Sequence, residues 1–204
     1  MATPNFVIGI SSFSGGGKST VSAKVAALLG DAVVIATDDY DAVSAHPASY
    51  ETWLTEGADY NAFQMPQLAD DLRSLKSGQA ITSPVTGEVI SPASFIVFDA
   101  PSGRANDATG TYIDLMVFID TPLDVAMARR ILRDFADEHD ALRLRNDLTS
   151  YLAFGRNAYL AMLHKVKPLC DLMADGMRLP DEIAESIVSE VRCLTIAPRA
   201  YKTR

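Results

Sequence analysis

Three consecutive glycines, Gly15 to Gly17, followed by Lys18 and Ser19, stand between a short apolar run at 6–10 and a stretch of helical period at 19–29. Nothing else in the chain restricts its fold as much. The apolar run reads as a buried strand. Val21, Val25, Leu28 and Leu29 share a face of the helix that follows, and Gly30 ends it. Strand, glycine loop and helix in this order make a phosphate cradle. Successive glycines let backbone N–H groups turn inward without side-chain clash, and the helix start aims its positive dipole end at the same spot. The pattern G-x-x-x-x-G-K-[S/T] is met in register by Gly17-Lys18-Ser19, with Ser12 where the first glycine would stand. Ser14, Gly15, Gly16, Gly17, Lys18, Ser19 and Thr20 are therefore the expected contacts for the phosphates of ATP. Lys18 is placed to reach the β- and γ-phosphates, and the Ser19 hydroxyl to ligate Mg2+. A glycine-rich turn with an exposed lysine is the alternative, and the strand–loop–helix context counts against it.

The rest of the pattern alternates apolar runs with helical periods, which implies an α/β domain with a parallel sheet flanked by helices. Further strands are expected at 32–36, 95–98 and 115–119. Helices are expected at 66–76, from Thr121 to about 135 with Thr121 as cap and Asp124 reaching back, at 148–163, and from Pro180, with Ile183, Ile187 and Val191 buried. The chain reads as one domain over residues 1–204, a three-layer P-loop sandwich, with 129–147 open to reading either as a helical lid or as a solvated helical face. Residues 41–64, with Tyr50, Trp53 and Tyr60, read either as a substrate-side insertion or as a plain surface connection. The tail at 197–204 reads as a solvated end.

Composition sets outer bounds. The chain has 204 residues, 48% hydrophobic and 22% charged, with a formal net charge of -8. Such acidity argues against nucleic acid as the main partner, because phosphate backbones demand clustered Lys and Arg. No basic region precedes a long apolar stretch at the start, and no apolar run reaches spanning length, so neither a signal peptide nor a membrane partner is expected. Cys170 and Cys193 have no metal-ligand spacing and read as core thiols in a reducing cytoplasm. A homo-oligomer is compatible with all of this.

Ligands of open parallel sheets bind beyond the C-terminal strand ends. Asp38, Asp39 and Asp41 follow the second strand, and Asp99 follows the third. Transfer to a hydroxyl needs a carboxylate to take or orient its proton, and another to hold the metal. Asp38 suits the first role and Asp99 the second, though each could share both, and capping or solvated turns are the alternative. Asp120 directly precedes a helix start and reads as structural. Arg130 and Arg133 share a helix face, with Arg129 beside them and Met127, Ile131 and Phe135 opposite. They suit either a closing phosphate clamp or a solvated face paired with Asp134, Asp137 and Glu138; spacing alone favours the solvated face. His46, His139 and His164 are scattered without metal spacing, and His46 alone sits where a substrate could pass.

These pieces together resemble the uridine kinase-like family of P-loop small-molecule kinases, relatives of phosphoribulokinase. The resemblance rests on Ile8-Gly9-Ile10-Ser11, Ser14-Gly15-Gly16-Gly17-Lys18-Ser19-Thr20, Thr37-Asp38-Asp39-Tyr40, Phe98-Asp99 and Arg129-Arg130-Ile131-Leu132-Arg133-Asp134, over about residues 5–175. It implies ATP-dependent transfer to a small-molecule hydroxyl, often the 5′-hydroxyl of a nucleoside such as uridine. Lys18, Asp38, Arg130 and Arg133 would be catalytic, Asp38, Tyr40 and Asp59 substrate-binding, and Ser19 and Asp99 metal-binding. The sequence departs from the family at Asp99-Ala100, in 81–93 and after Asp134, which weakens the nucleoside site more than the transfer site. The rival classes are a regulatory GTPase, whose Asn-Lys-x-Asp guanine reader is absent, and a nucleotide-binding protein without transfer activity.

Overall fold

The computed structural model describes residues 5–136 and 141–196. Five parallel strands build the central sheet: β1 (Phe6–Ser11), β2 (Ala32–Ala36), β5 (Phe95–Asp99), β6 (Leu115–Asp120) and β7 (Leu172–Asp175). Their order is β2-β5-β1-β6-β7. A separate small hairpin joins β3 (Ile81–Thr82) to β4 (Val89–Ile90).

Strand side chains alternate between faces, and each face has its own helices. Ile8, Ile10, Val117 and Ile119 pack on Val21 and Val25 of α1 (Lys18–Leu29) and on Ile183, Ile187 and Val191 of α8 (Pro180–Ile196). Val7, Ile96, Phe98 and Met116 pack on Leu68, Leu72 and Leu75 of α3 (Pro66–Lys76). A third cluster, Phe13, Trp53, Tyr60, Phe118, Met162 and Val166, joins α2 (Tyr50–Thr55) and α7 (Arg156–Lys165) to the phosphate loop. The remaining helices are α4 (Asp107–Gly110), α5 (Leu123–Asp134) and α6 (Ala141–Ser150). The result is the three-layer α/β sandwich that the alternating pattern implies. No helix among the described residues is long and apolar enough to cross a membrane.

Several local expectations are corrected. Leu28 is 44% exposed, because it lies to one side of the buried stripe, about 60° round the helix from Val25 and about 100° from Leu29. The helical stretch expected at 148–163 is present and begins earlier, at Ala141: α6 runs through a π turn at Tyr151–Gly155 into α7. Strand β7 was not expected: four residues of mixed polarity at a sheet edge carry too little period to stand out. Cys193 is exposed and Cys170 half-buried, so neither is a fully buried core thiol. Burial pushes the Cys170 thiol up to about 12. The tail at 197–204, residues 1–4, and His139 lie outside the described residues.

The most informative correction is Thr121. It does not cap α5, whose first turn has no side-chain cap. Instead its buried hydroxyl donates to the Gly16 carbonyl at 2.9 Å. On the same strand end the Ser12 hydroxyl donates to the Ile119 carbonyl at 2.7 Å. The glycine loop is thereby fastened to the end of β6 by two buried hydroxyls. Thr121→Val keeps the branched shape and removes the donor. A buried acceptor left without its partner costs about 1–3 kcal/mol, so the melting temperature should fall by several degrees, at about 2–4 °C per kcal/mol for a chain of this size. An unchanged melting curve would mean that this bond adds nothing to stability.

Candidate active site

The loop is shaped by close approaches that only glycine permits. Gly15 has φ +80°, and a Cβ there would lie 2.1 Å from the Ala126 carbonyl oxygen of α5. A Cβ on Gly16 would lie 1.9 Å from the Ser12 hydroxyl. The departure at Ser12 is therefore accommodated: its side chain turns inward to Ile119 and fills the room that Gly16 leaves. Lys18 donates to the Phe13 carbonyl at 3.4 Å, folded back over the loop. Burial holds its ammonium below the ordinary lysine value, with the charges of Asp99 and Asp38 opposing.

Sheet register brings the acidic groups to this loop. In β5, Asp99 stands opposite Ile10 of β1 on one side and Ala36 of β2 on the other. The loop after β1 and the turn after β2 thus converge on one carboxylate. The Ser19 hydroxyl donates to Asp99 at 2.8 Å, and Thr37 donates to the Asp99 carbonyl at 2.9 Å. Asp99 is 7% exposed. Burial pushes its carboxyl above the usual range, while Lys18 and Ser19 pull the other way. Asp38 is exposed in the turn Thr37–Val43, close enough for its charge to act on both Lys18 and Asp99. Among the described residues no three His, Cys, Asp or Glu side chains form a metal cage. One hydroxyl, one carboxylate and a second carboxylate nearby nonetheless fit magnesium, which takes few protein oxygens and fills its other positions with phosphate oxygens and water.

Two cavities flank this centre. The first, of about 510 Å³, is lined by Gly15 to Thr20, by Arg129 and Arg133 of α5, and by Gly176, Arg178 and Pro180 after β7. Arg129 donates to the Gly176 carbonyl at 3.2 Å. Arg133 donates to the Ser14 hydroxyl at 3.3 Å and pairs with Asp134 at 2.7 Å. The residues facing the loop together are four apart, Arg129 and Arg133. Arg130 instead turns to α6 and pairs with Asp147, Nη1 to Oδ1 at 3.0 Å with a second, shorter contact alongside. Its side chain is 14% exposed. The i,i+3 pair Arg130 and Arg133 expected at the phosphates is thus replaced by the i,i+4 pair Arg129 and Arg133, which the same helix spacing also allows. Asp137 and Glu138, weighed as partners, lie outside the described residues.

The second cavity, of about 290 Å³, opens beside Asp38 and is walled by the 41–64 segment through His46, Tyr50, Tyr60 and Phe63. That segment is pinned in place. Ala45 and Gln64 exchange two backbone bonds of 2.9 Å, and the buried Asn106 amide donates to the Tyr60 and Phe63 carbonyls at 3.0 and 2.9 Å. His46, singled out on position alone, lines the cavity and pairs with Asp41 at 2.9 Å. Two expected substrate residues stand elsewhere. Tyr40 is 2% exposed in the core, and its hydroxyl donates to Asp71 at 2.9 Å, because the tight turn after β2 folds its ring onto α3. Asp59 is exposed and spends its carboxylate on the Asn61 N–H, capping the turn Tyr60–Ala62; it is not among the residues that line the cavity. Asp120 pairs with Lys167 at 2.7 Å, and His164 is exposed.

A family model described as the Phosphoribulokinase / Uridine kinase family matches residues 7–176. A protein named uridine kinase from Borrelia duttonii (strain Ly) is 28% identical over 178 residues, covering 82% of this chain and 84% of that one. Two solved structures share the fold. A shikimate kinase from Aquifex aeolicus superposes with a TM-score of 0.51 at 14% identity, covering 95% of this chain and 100% of that one. A possible uridine kinase from Bacillus stearothermophilus does so with a TM-score of 0.50 at 15% identity, covering 86% and 91%.

The close approach at Gly15 gives a direct test. Gly15→Ala places a methyl group against the backbone of α5 in a conformation that L-residues rarely adopt. The chain should still fold, with a melting temperature lowered by a few degrees, and its affinity for ATP should drop at least tenfold by calorimetry. Wild-type affinity in this variant would show that the loop does not form the phosphate cradle.

Proposed function

The chain belongs to the phosphoribulokinase / uridine kinase family, and on that premise we propose that it moves the γ-phosphoryl group of ATP onto a hydroxyl held in the second cavity, with uridine the first acceptor to test. The observation that carries this reading is the link between two separate cavities: Ser19 of the first is bonded to Asp99, and Asp38, which lines the second, acts by its charge on both Asp99 and Lys18. A nucleotide switch would need only the first cavity. A transferase needs both, meeting where the phosphoryl group crosses.

In this reading the backbone N–H groups of Gly15 to Ser19 hold the phosphates, and Lys18 reaches the β- and γ-oxygens. Its present bond to Phe13 is long enough to be exchanged for a stronger, charge-assisted one. Ser19 and Asp99 are the residues that would hold magnesium, which neutralises charge across the phosphate oxygens when bound. Asp38 takes the proton of the acceptor hydroxyl as its oxygen bonds to the γ-phosphorus. The bond from that phosphorus to the β–γ bridging oxygen breaks, and ADP leaves. Arg133, already at Ser14, stabilises charge on the transferring group, with Arg129 beside it. Arg130, committed to Asp147, orients the lid side. Cys170 and Cys193 are unpaired thiols, which accords with a reducing cytoplasm.

Four variants test this. Lys18→Ala should lower turnover about 100- to 1000-fold, the usual cost of one preorganised charge contact; near-normal turnover would defeat the reading. Asp38→Asn should lose transfer by about 100- to 10,000-fold while calorimetry still records ATP binding. Arg133→Ala and Arg130→Ala should divide: the first lowers kcat with little change in melting temperature, and the second lowers the melting temperature, because it strands the half-buried Asp147. Equal effects of both on kcat, with no loss of stability, would restore Arg130 as a direct phosphate contact.

A further inference from the structure

The walls of the second cavity differ in charge from those of the first. Lys18, Arg129, Arg133 and Arg178 surround the phosphate loop. Among the described residues lining the second cavity there is no Lys or Arg; its charged groups are Asp38 and Asp41, with His46 held against Asp41. The floor is apolar and aromatic. The Phe63 ring stands 5.8 Å from His46 at 86° and 6.2 Å from Tyr60 at 26°. Met65 and Met162 line the same cavity and adapt to irregular shapes. Tyr60 lies in this wall, and its hydroxyl is buried without a partner.

From this arrangement, and resting on the kinase reading above, we propose that the cavity selects its acceptor by charge: it takes an uncharged or cationic alcohol with a flat ring face, and refuses alcohols that carry a phosphate or a carboxylate. A phosphate or carboxylate group would have to sit near Asp38 and Asp41 with no lining guanidinium or ammonium to meet it. At about 5 Å each such approach costs on the order of tenfold in affinity even with strong solvent screening. Sites that bind anionic groups answer them with Arg or Lys, usually in bidentate geometry, and this cavity has none among its described lining residues. A ring face, in contrast, meets Phe63, Tyr60 and the methionines without charge cost. Burial raises the pKa of the Tyr60 hydroxyl, so this part of the wall adds no negative charge.

The test uses pairs in which one member is uncharged and the other carries a phosphate or carboxylate, both keeping a free primary hydroxyl: uridine against uridine 3′-monophosphate, ribose against ribose 3-phosphate, and pantothenol against pantothenate. Binding to the full chain is measured by calorimetry with a non-hydrolysable ATP analogue present, and transfer by ADP release with ATP. At least one uncharged member should bind at least tenfold more tightly than its anionic partner. Equal or tighter binding of the anionic members, or no binding by any member, overturns the proposal. Discrimination in binding without phosphate transfer would sustain the charge rule and defeat the kinase reading instead. As a second arm, Asp41→Lys alters a 75% exposed side chain and should fold normally. It should shrink the uncharged-to-anionic ratio about tenfold or more; an unchanged ratio would remove Asp41 from the selecting wall.

Discussion

Two buried hydroxyls, those of Ser12 and Thr121, hold the glycine loop to the end of β6. The remaining site geometry depends on that attachment. A loop of successive glycines has little conformational preference of its own. Fixed at Ser12 and Gly16, its N–H groups face one way, and α1 starts at a set angle above the sheet. The register of β5 then matters, because it carries Asp99 to the same height as the loop and within 2.8 Å of Ser19. Without the attachment at β6, the loop would be held beside Asp99 by its remaining contacts, such as that with α5 at Gly15.

The charge distribution follows a division that net charge conceals. A chain of formal charge -8 gathers four cationic side chains around one cavity and leaves the neighbouring one to carboxylates and rings. Fields of opposite sign thus meet at Asp99 and Lys18, where a phosphoryl group leaving one cavity for the other would pass. Lys18 and Asp99 each carry a burial cost that the other reduces. Neither charge is easily kept there without its partner.

Much of this was legible in the sequence, for physical reasons. The loop announces itself because glycine spacing is a backbone requirement, and the two-sided packing of the sheet shows in apolar runs such as Val7 to Ile10 and Ile96 to Phe98. Strand β7 stayed hidden because an edge strand of four residues is held by its neighbour rather than by its own pattern. Thr121 looked like a cap because hydroxyls before a helix usually are one; its partner lies 105 positions away, and no local rule finds it. Arg130 and Arg133 were paired on a shared helix face, yet which way each turns is decided by Asp147 on another helix. Tyr40 and Asp59 resembled substrate residues by position; Tyr40 is committed to Asp71, 31 positions away, which no local rule finds, whereas Asp59 caps its own turn two residues on.

The contact between Gly15 and α5 has a mechanical consequence. A helix whose backbone, from Ala126 to Arg130, presses on the phosphate loop at van der Waals range cannot swing as a rigid lever from its own start. It is part of the anvil. In the kinase reading a closing stroke would have to pivot farther along, past Arg130, beside the clasp between Arg130 and Asp147. Arg133, one turn beyond the pinned section, reaches back from there to Ser14.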